Sequence, residues 1–226
     1  MKLARLISPD VWGACSPMAS EQMLAAAAAL PAGEYRYELR RGGELIAIEE
    51  ETLGAGFMRG VRHTPDGLNR HEVEARLDAG GFIAAVAVRY SRGPFKRSAS
   101  YEASGDLIRG HLIAAGGREE ASSKLGRMRE VDADLMLCKA LIIAHVRARG
   151  QARWIGRVAT IDPNTLVASS PKQTYRRRDE AGRLWIFEPR MGDAEEFELD
   201  EAGRVVRRRA RDAAETTLVS FVGAPA

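Results

Sequence analysis

The stretch Gly33-Glu34-Tyr35-Arg36-Tyr37-Glu38-Leu39-Arg40-Arg41-Gly42-Gly43-Glu44-Leu45-Ile46 decides the fold class. Successive side chains of an extended chain point to opposite sides, so Tyr35, Tyr37 and Leu39 share one face while Glu34, Arg36, Glu38 and Arg40 share the other. Gly42-Gly43 breaks the run and a second one begins. A strand with one dry and one wet face, followed by a glycine break and a further strand, reads as an antiparallel hairpin.

The same device recurs outward from this hairpin. Breaks at Pro65-Asp66-Gly67, Gly80-Gly81, Ser104-Gly105-Asp106 and Gly116-Gly117 separate runs at about 44–53, 56–63, 68–78, 82–92, 95–104, 107–115 and 118–125. The order Pro-Asp-Gly suits a type I turn with glycine in the left-handed position. Further runs at about 152–161, 165–178, 183–190, 195–200, 204–209 and 216–222 follow, broken at Gly182, Gly192 and Gly203. A hairpin-connected sheet of more than about ten strands twists until it closes into a barrel or curls into a half-barrel.

Between the two series the spacing predicts a helix over 132–149. Asp132 is placed as N-cap, Asp134 in the first turn, Arg147 and Arg149 in the last turn, and Gly150 as the stop. Leu135, Cys138, Ile142 and His145 form one stripe, and Leu137, Leu141, Ala144 and Ala148 an adjoining one. Two stripes predict a helix buried on most sides, lying across the concavity of the sheet or closing one end of it. A short helix is also expected over 21–30, capped by Ser20, rich in alanine and stopped by Pro31. The expected organisation is an N-terminal segment, 1–32, and a single domain, 33–226. Its fold class is mainly β: a large curved antiparallel meander sheet, half-barrel or barrel, wrapped on one buried helix.

Composition excludes several functions. The chain has 226 residues, of which 45% are apolar and 29% charged, enough to bury a core. The net charge of +3 is mild, and the arginines are spread over many strands, which speaks against nucleic acid. No Gly-x-Gly-x-x-Gly or phosphate loop occurs, so no cofactor is expected. The serines Ser122, Ser123, Ser169 and Ser170 lack a nucleophile elbow. His63 and His71 flank the turn at Pro65 as near-diagonal neighbours, too few ligands for a metal. Cys15 and Cys138 make no disulfide framework. Nothing approaches the roughly 18 apolar residues of a membrane span. Lys2 and Arg5 precede an apolar run that Pro9 and Asp10 cut short, so a cytoplasmic location is expected.

The order of long up-and-down strands, helical insertion and further strands resembles the lipoprotein-carrier group of half-barrels. The run Tyr35-Arg36-Tyr37-Glu38-Leu39, followed by Gly42-Gly43-Glu44-Leu45-Ile46, is similar to the opening hairpin of bacterial domains of that architecture. The resemblance implies a hydrophobic or amphipathic ligand, such as a lipid, carried in the concave face.

Residue chemistry offers two kinds of candidate. For proton transfer on a hydrophobic substrate, the densest titratable segment enters the helix at Glu130 and Asp132, where burial would raise a carboxyl pKa. His145 on the apolar stripe and His111 join them. For ligand binding, Lys172 could meet an acidic head group, and Tyr175, Trp154 and Tyr101 could line an apolar cavity. The leading expectation is a binding protein for a lipid-like molecule; the alternative is a cofactor-independent acid–base enzyme, an isomerase, lyase or hydrolase, using the same cavity.

Overall fold

The computed structural model describes residues 30–126, 129–190 and 192–224. The helix expected over 21–30 lies outside them except for Leu30, which packs in the core. The meander forms as expected: β1 (Gly33–Arg41), β2 (Glu44–Gly54), β3 (Phe57–His63), β4 (Asn69–Leu77), β5 (Ile83–Arg92), β6 (Phe95–Ser104), β7 (Leu107–Ala114) and β8 (Gly117–Lys124). The chain then crosses to the far edge through β9 (Val131–Asp132) and helix α1 (Met136–Ala148). From β10 (Arg153–Arg157) it passes through β11 (Ala159–Ile161) and β12 (Ala168–Ser169), and returns by β13 (Lys172–Arg177), β14 (Leu184–Pro189), β15 (Glu195–Leu199), β16 (Val205–Ala210) and β17 (Ala214–Gly223).

The main sheet has 14 antiparallel strands in the order β10-β13-β14-β15-β16-β17-β1-β2-β3-β4-β5-β6-β7-β8, and it does not close. The first strand therefore sits in the middle, zipped to the last: Tyr37 faces Leu218 and Tyr35 faces Phe221. Register shifts at Arg36/Tyr37 and Leu39/Arg40 place an irregularity on each side of β1. Such bulges increase local twist and help a wide sheet curl. The result is a curved half-barrel wrapped on a helix.

The concave face is filled. Every residue of α1 from Met136 to Val146 is buried, against Tyr37, Met58, Val73, Val88 and Phe197 from the sheet. Two long strands expected at 152–161 and 165–178 are each split, and β9, β11 and β12 make a separate three-stranded sheet in which β9 and β11 run parallel. This small sheet packs against the end of the meander: β12 lies beside β8, and Tyr101 Oη of β6 donates to Leu166 O, between β11 and β12, at 2.7 Å.

The helix starts later than 132, and its cap is not local. Asp132 is in β9, Asp134 lies outside the first turn, and the N-cap residue is Leu135, with no side-chain cap of its own. Gly150 ends the helix as expected, with φ of 66°.

Candidate functional site

Two regions concentrate polar chemistry. The first is the buried end of α1. Glu49 and Glu51 occupy the inward row of β2 and are almost wholly buried. Both face the helix N-terminus: Met136 N donates to Glu49 Oε2 at 3.2 Å, and Leu137 N to Glu51 Oε2 at 3.0 Å. A helix N-terminus carries unpaired N–H groups and a partial positive charge, so two carboxylates from a distant strand perform the capping. Gly60 makes room, because a methyl there would lie 2.5 Å from Leu135 Cδ1 and 3.1 Å from Glu51 Cγ.

Arg62 ties this pair to the loop. Its Nε donates to Glu49 Oε1 and its Nη1 to Asp134 Oδ2, both at 2.7 Å. Asp134 has φ of 60°, unusual for a residue with a side chain, and its carbonyl accepts from the same guanidinium. Burial works against the charge on Arg62, but Glu49 and Asp134 outweigh it and hold the pKa above the ordinary value. Burial, aided by the neighbouring Glu49, pushes the Glu51 carboxyl well above the usual range. The Tyr37 hydroxyl, also buried, has no hydrogen-bond partner among the described residues, and its pKa is driven up by burial and by Glu51.

Around the helix the other buried charges are also paired. Lys139 bonds Asp132 and lies over the Phe187 ring, 4.2 Å from its centroid. Burial disfavours its ammonium, yet Asp132 and Glu195 raise its pKa overall. Glu130 Oε1 lies 2.7 Å from His145 Nδ1, off the hydrogen-bond direction, and Phe82 stacks on the imidazole. Burial raises the Glu130 pKa, opposed in part by His145. Three of the four residues proposed for proton transfer are therefore buried beside α1, and two of them touch. None lines the surface depressions described below.

The ligand-binding candidates separate. Tyr175 is a core side chain whose hydroxyl donates to Gln173 Oε1 at 3.3 Å, with Trp154 tilted against it at the sheet edge. Tyr101 is equally buried. Lys172, one residue before inward-facing Gln173, is exposed on the opposite face. His63 and His71 also part: His71 pairs with Arg62 and His63 with Arg70, one step out of phase, so they lie on opposite faces. His71 is buried with Nε2 2.9 Å from Ala133 O, and burial lowers its pKa.

The second region is on the outward face of β4 to β7. Cross-strand register gives a row Arg59, Glu74, Ala87, Ser100, His111 and a neighbouring row Phe57, Arg76, Ala85, Glu102, Arg109. The small side chains of Ala85, Ala87, Ser98 and Ser100 adjoin at the centre, and long ones ring them. This leaves a basin of about 860 Å³ with Phe57, Arg59, Arg76 and Arg109 at its walls. It continues past Ala87 and Ser98 into a second depression of about 580 Å³ bordered by Lys96 and Ile113. Among the described residues, Arg59, Arg76, Arg109 and Lys96 form no ion pair, although Arg70 and Arg89 pair with Glu72. Phe57 and Ile113 are exposed apolar groups on this face. His111, the remaining proton-transfer candidate, stands in the wall, 3.1 Å from Ser100 Oγ.

Sequence reasoning missed this basin, though the signal was present in the alternating positions Ala85, Ala87, Ser98 and Ser100 on the wet phase of two strands. Small residues where neighbouring strands carry arginine and glutamate mark a hollow only once the register is known.

The fold and these sites define an open antiparallel half-barrel closed on its inner side by a helix. No family model and no curated protein matches the chain. It is similar to the crystal structure, at 1.80 Å resolution, of a DUF1089 family protein from Pseudomonas aeruginosa, with a TM-score of 0.53 and 20% identity over 74% of this chain and 90% of that one. At that identity the likeness is one of fold: a similar curved β-sheet. Among the described residues no helix is long and apolar enough to cross a membrane.

Proposed function

We propose that this protein binds an amphipathic small molecule bearing an anionic group, and that it does so in the outward basin of β4 to β7. The resemblance to lipid-carrying half-barrels belongs to this reading, with the ligand moved from the filled concave face to the opposite one. The observation that carries it is the composition of the basin: a floor of small side chains, an exposed apolar ring at Phe57, and three wall arginines, Arg59, Arg76 and Arg109, that form no ion pair among the described residues although Glu74 and Glu102 share the lining. Guanidinium groups left unpaired around an apolar floor favour a ligand that is negative at one end and apolar along its length. The volume lies within the range of about 300–1,000 Å³ common for small-molecule sites.

The test is binding of decyl phosphate, below its micelle concentration, by calorimetry. Ala87→Trp puts an indole on the basin floor while leaving the buried face untouched. Decyl phosphate should bind the native protein and lose most of its affinity for the variant, with the melting temperature unchanged. Equal binding to both proteins would place the ligand elsewhere and defeat this assignment.

A further inference from the structure

The wall of the basin contains a directed chain of donors. Arg118 Nη2 lies 3.2 Å from His111 Nδ1, and His111 Nε2 lies 3.1 Å from Ser100 Oγ. A guanidinium has N–H groups and no acceptor, so the Nδ1 it meets must present a lone pair. The imidazole is then the neutral tautomer with its proton on Nε2, and that N–H donates to Ser100 Oγ. One oxygen lone pair of the serine is thereby used, and its hydroxyl hydrogen remains to be given away. The direction is opposite to that of a serine nucleophile, where the histidine must accept the serine proton.

Ser100 sits at the centre of the basin floor. Its cross-strand partner on β5 is Ala87, whose methyl leaves space above the hydroxyl, and Arg109 lies two positions from His111 on the same face of β7. Hydrogen bonds in series polarise one another, so a hydroxyl at the end of a chain that starts on a cation is a stronger donor than an isolated serine.

We propose that Ser100 is the anchor for the head group of the bound amphiphile, and that this head group is an oxyanion of the phosphate ester class, with Arg109 as the flanking charge. The proposal rests on the binding function assigned above and specifies which atom of the basin meets the anion. A neutral sugar head group gains nothing particular from Ser100, which has only its hydroxyl hydrogen left to give, and can be met equally by the Glu74 and Glu102 carboxylates on the same lining.

The experiment compares decyl phosphate, decyl maltoside and inorganic phosphate on the native protein, Ser100→Ala and Arg118→Gln. Ser100→Ala should weaken decyl phosphate about tenfold, the size expected for one hydrogen bond to a charged group, and leave decyl maltoside unchanged. Arg118→Gln should act in the same direction and less strongly. Nitrogen-15 chemical shifts of His111 in the free protein should show Nε2 protonated and Nδ1 bare. A proton on Nδ1, or decyl phosphate affinity untouched by Ser100→Ala, overturns the anchor. If Ala87→Trp still abolishes binding in that case, the basin stands and only the anchor falls. Should decyl phosphate fail to bind the native protein, basin and anchor fall together. Inorganic phosphate binding as tightly as decyl phosphate and weakened equally by Ser100→Ala confirms the anchor and removes the apolar tail.

Discussion

Glu49 and Glu51 on β2 point into the fold, and Glu50 between them points out. The inner pair is nearly inaccessible, each carboxyl receiving a backbone N–H of α1. Glu50 meets Arg36 at 3.2 Å across the exposed face, with both side chains about half accessible. The same residue type thus does different work one position apart. A buried carboxyl without its partners carries a large desolvation penalty, so the inner face tolerates little change. A surface pair contributes between about 0 and 1 kcal/mol, so the outer face is free to vary and to bind.

Five substitutions break or sharpen this contrast. The largest effect is expected from Arg62→Ala, which leaves Glu49 buried and uncompensated; urea unfolding should show a loss of about 3 kcal/mol. Arg89→Ala, its exposed counterpart on the outer face, should cost under about 0.5 kcal/mol. Equal losses for the two would remove the distinction.

Gly60→Ala comes next. Its methyl collides with Leu135 and crowds Glu51, lifting the helix start from its two carboxylates. A cost of about 1–3 kcal/mol is typical of overpacking, and exchange of the Met136 and Leu137 amides should speed up. A variant as stable as the native protein would mean that the glycine does not set the helix position.

Glu51→Gln separates the two inner carboxyls. The folded-state pKa of Glu51 is raised above 4.5, so the folded protein holds this proton more tightly than the unfolded chain. That contribution is fully present below the ordinary pKa and is lost as pH rises through the folded value. Gln resembles the protonated form and does not titrate. The variant should match the native protein below the ordinary carboxyl pKa and gain on it as pH rises above that value, levelling off once the folded protein also loses the proton, measured by urea midpoints across the range. A constant offset would show that Glu51 keeps an ordinary pKa.

Ala87→Trp is the smallest in stability and the most specific in function. On the outer face it should change unfolding by about 0.5 kcal/mol or less, while removing decyl phosphate binding.

The meander was legible from the chain because its information is local. Tyr35, Tyr37, Glu34 and Arg36 alternate, the glycine breaks fall between runs, and β1 to β8 lie within one or two residues of their expected bounds. The buried helix was legible too, from its two apolar stripes. Its start was not, because the capping groups are Glu49 and Glu51, more than 80 residues away in sequence. Asp132 looked like a cap and instead pairs in β9 and binds Lys139. Alternation likewise could not show that 152–161 and 165–178 each contribute strands to two sheets, since a change of partner leaves the period of two intact.

By itself, the sequence determined that the chain is a curved antiparallel sheet with one dry face and a buried helix, because side-chain period and turn chemistry are written residue by residue. Tertiary structure alone decided that the concavity is filled, that Glu130 meets His145, and that Ala87 and Ser100 adjoin among arginines that form no ion pair within the described residues. Those facts depend on cross-strand register and on contacts between distant segments, and a shift of one residue in pairing would send every one of these side chains to the other face.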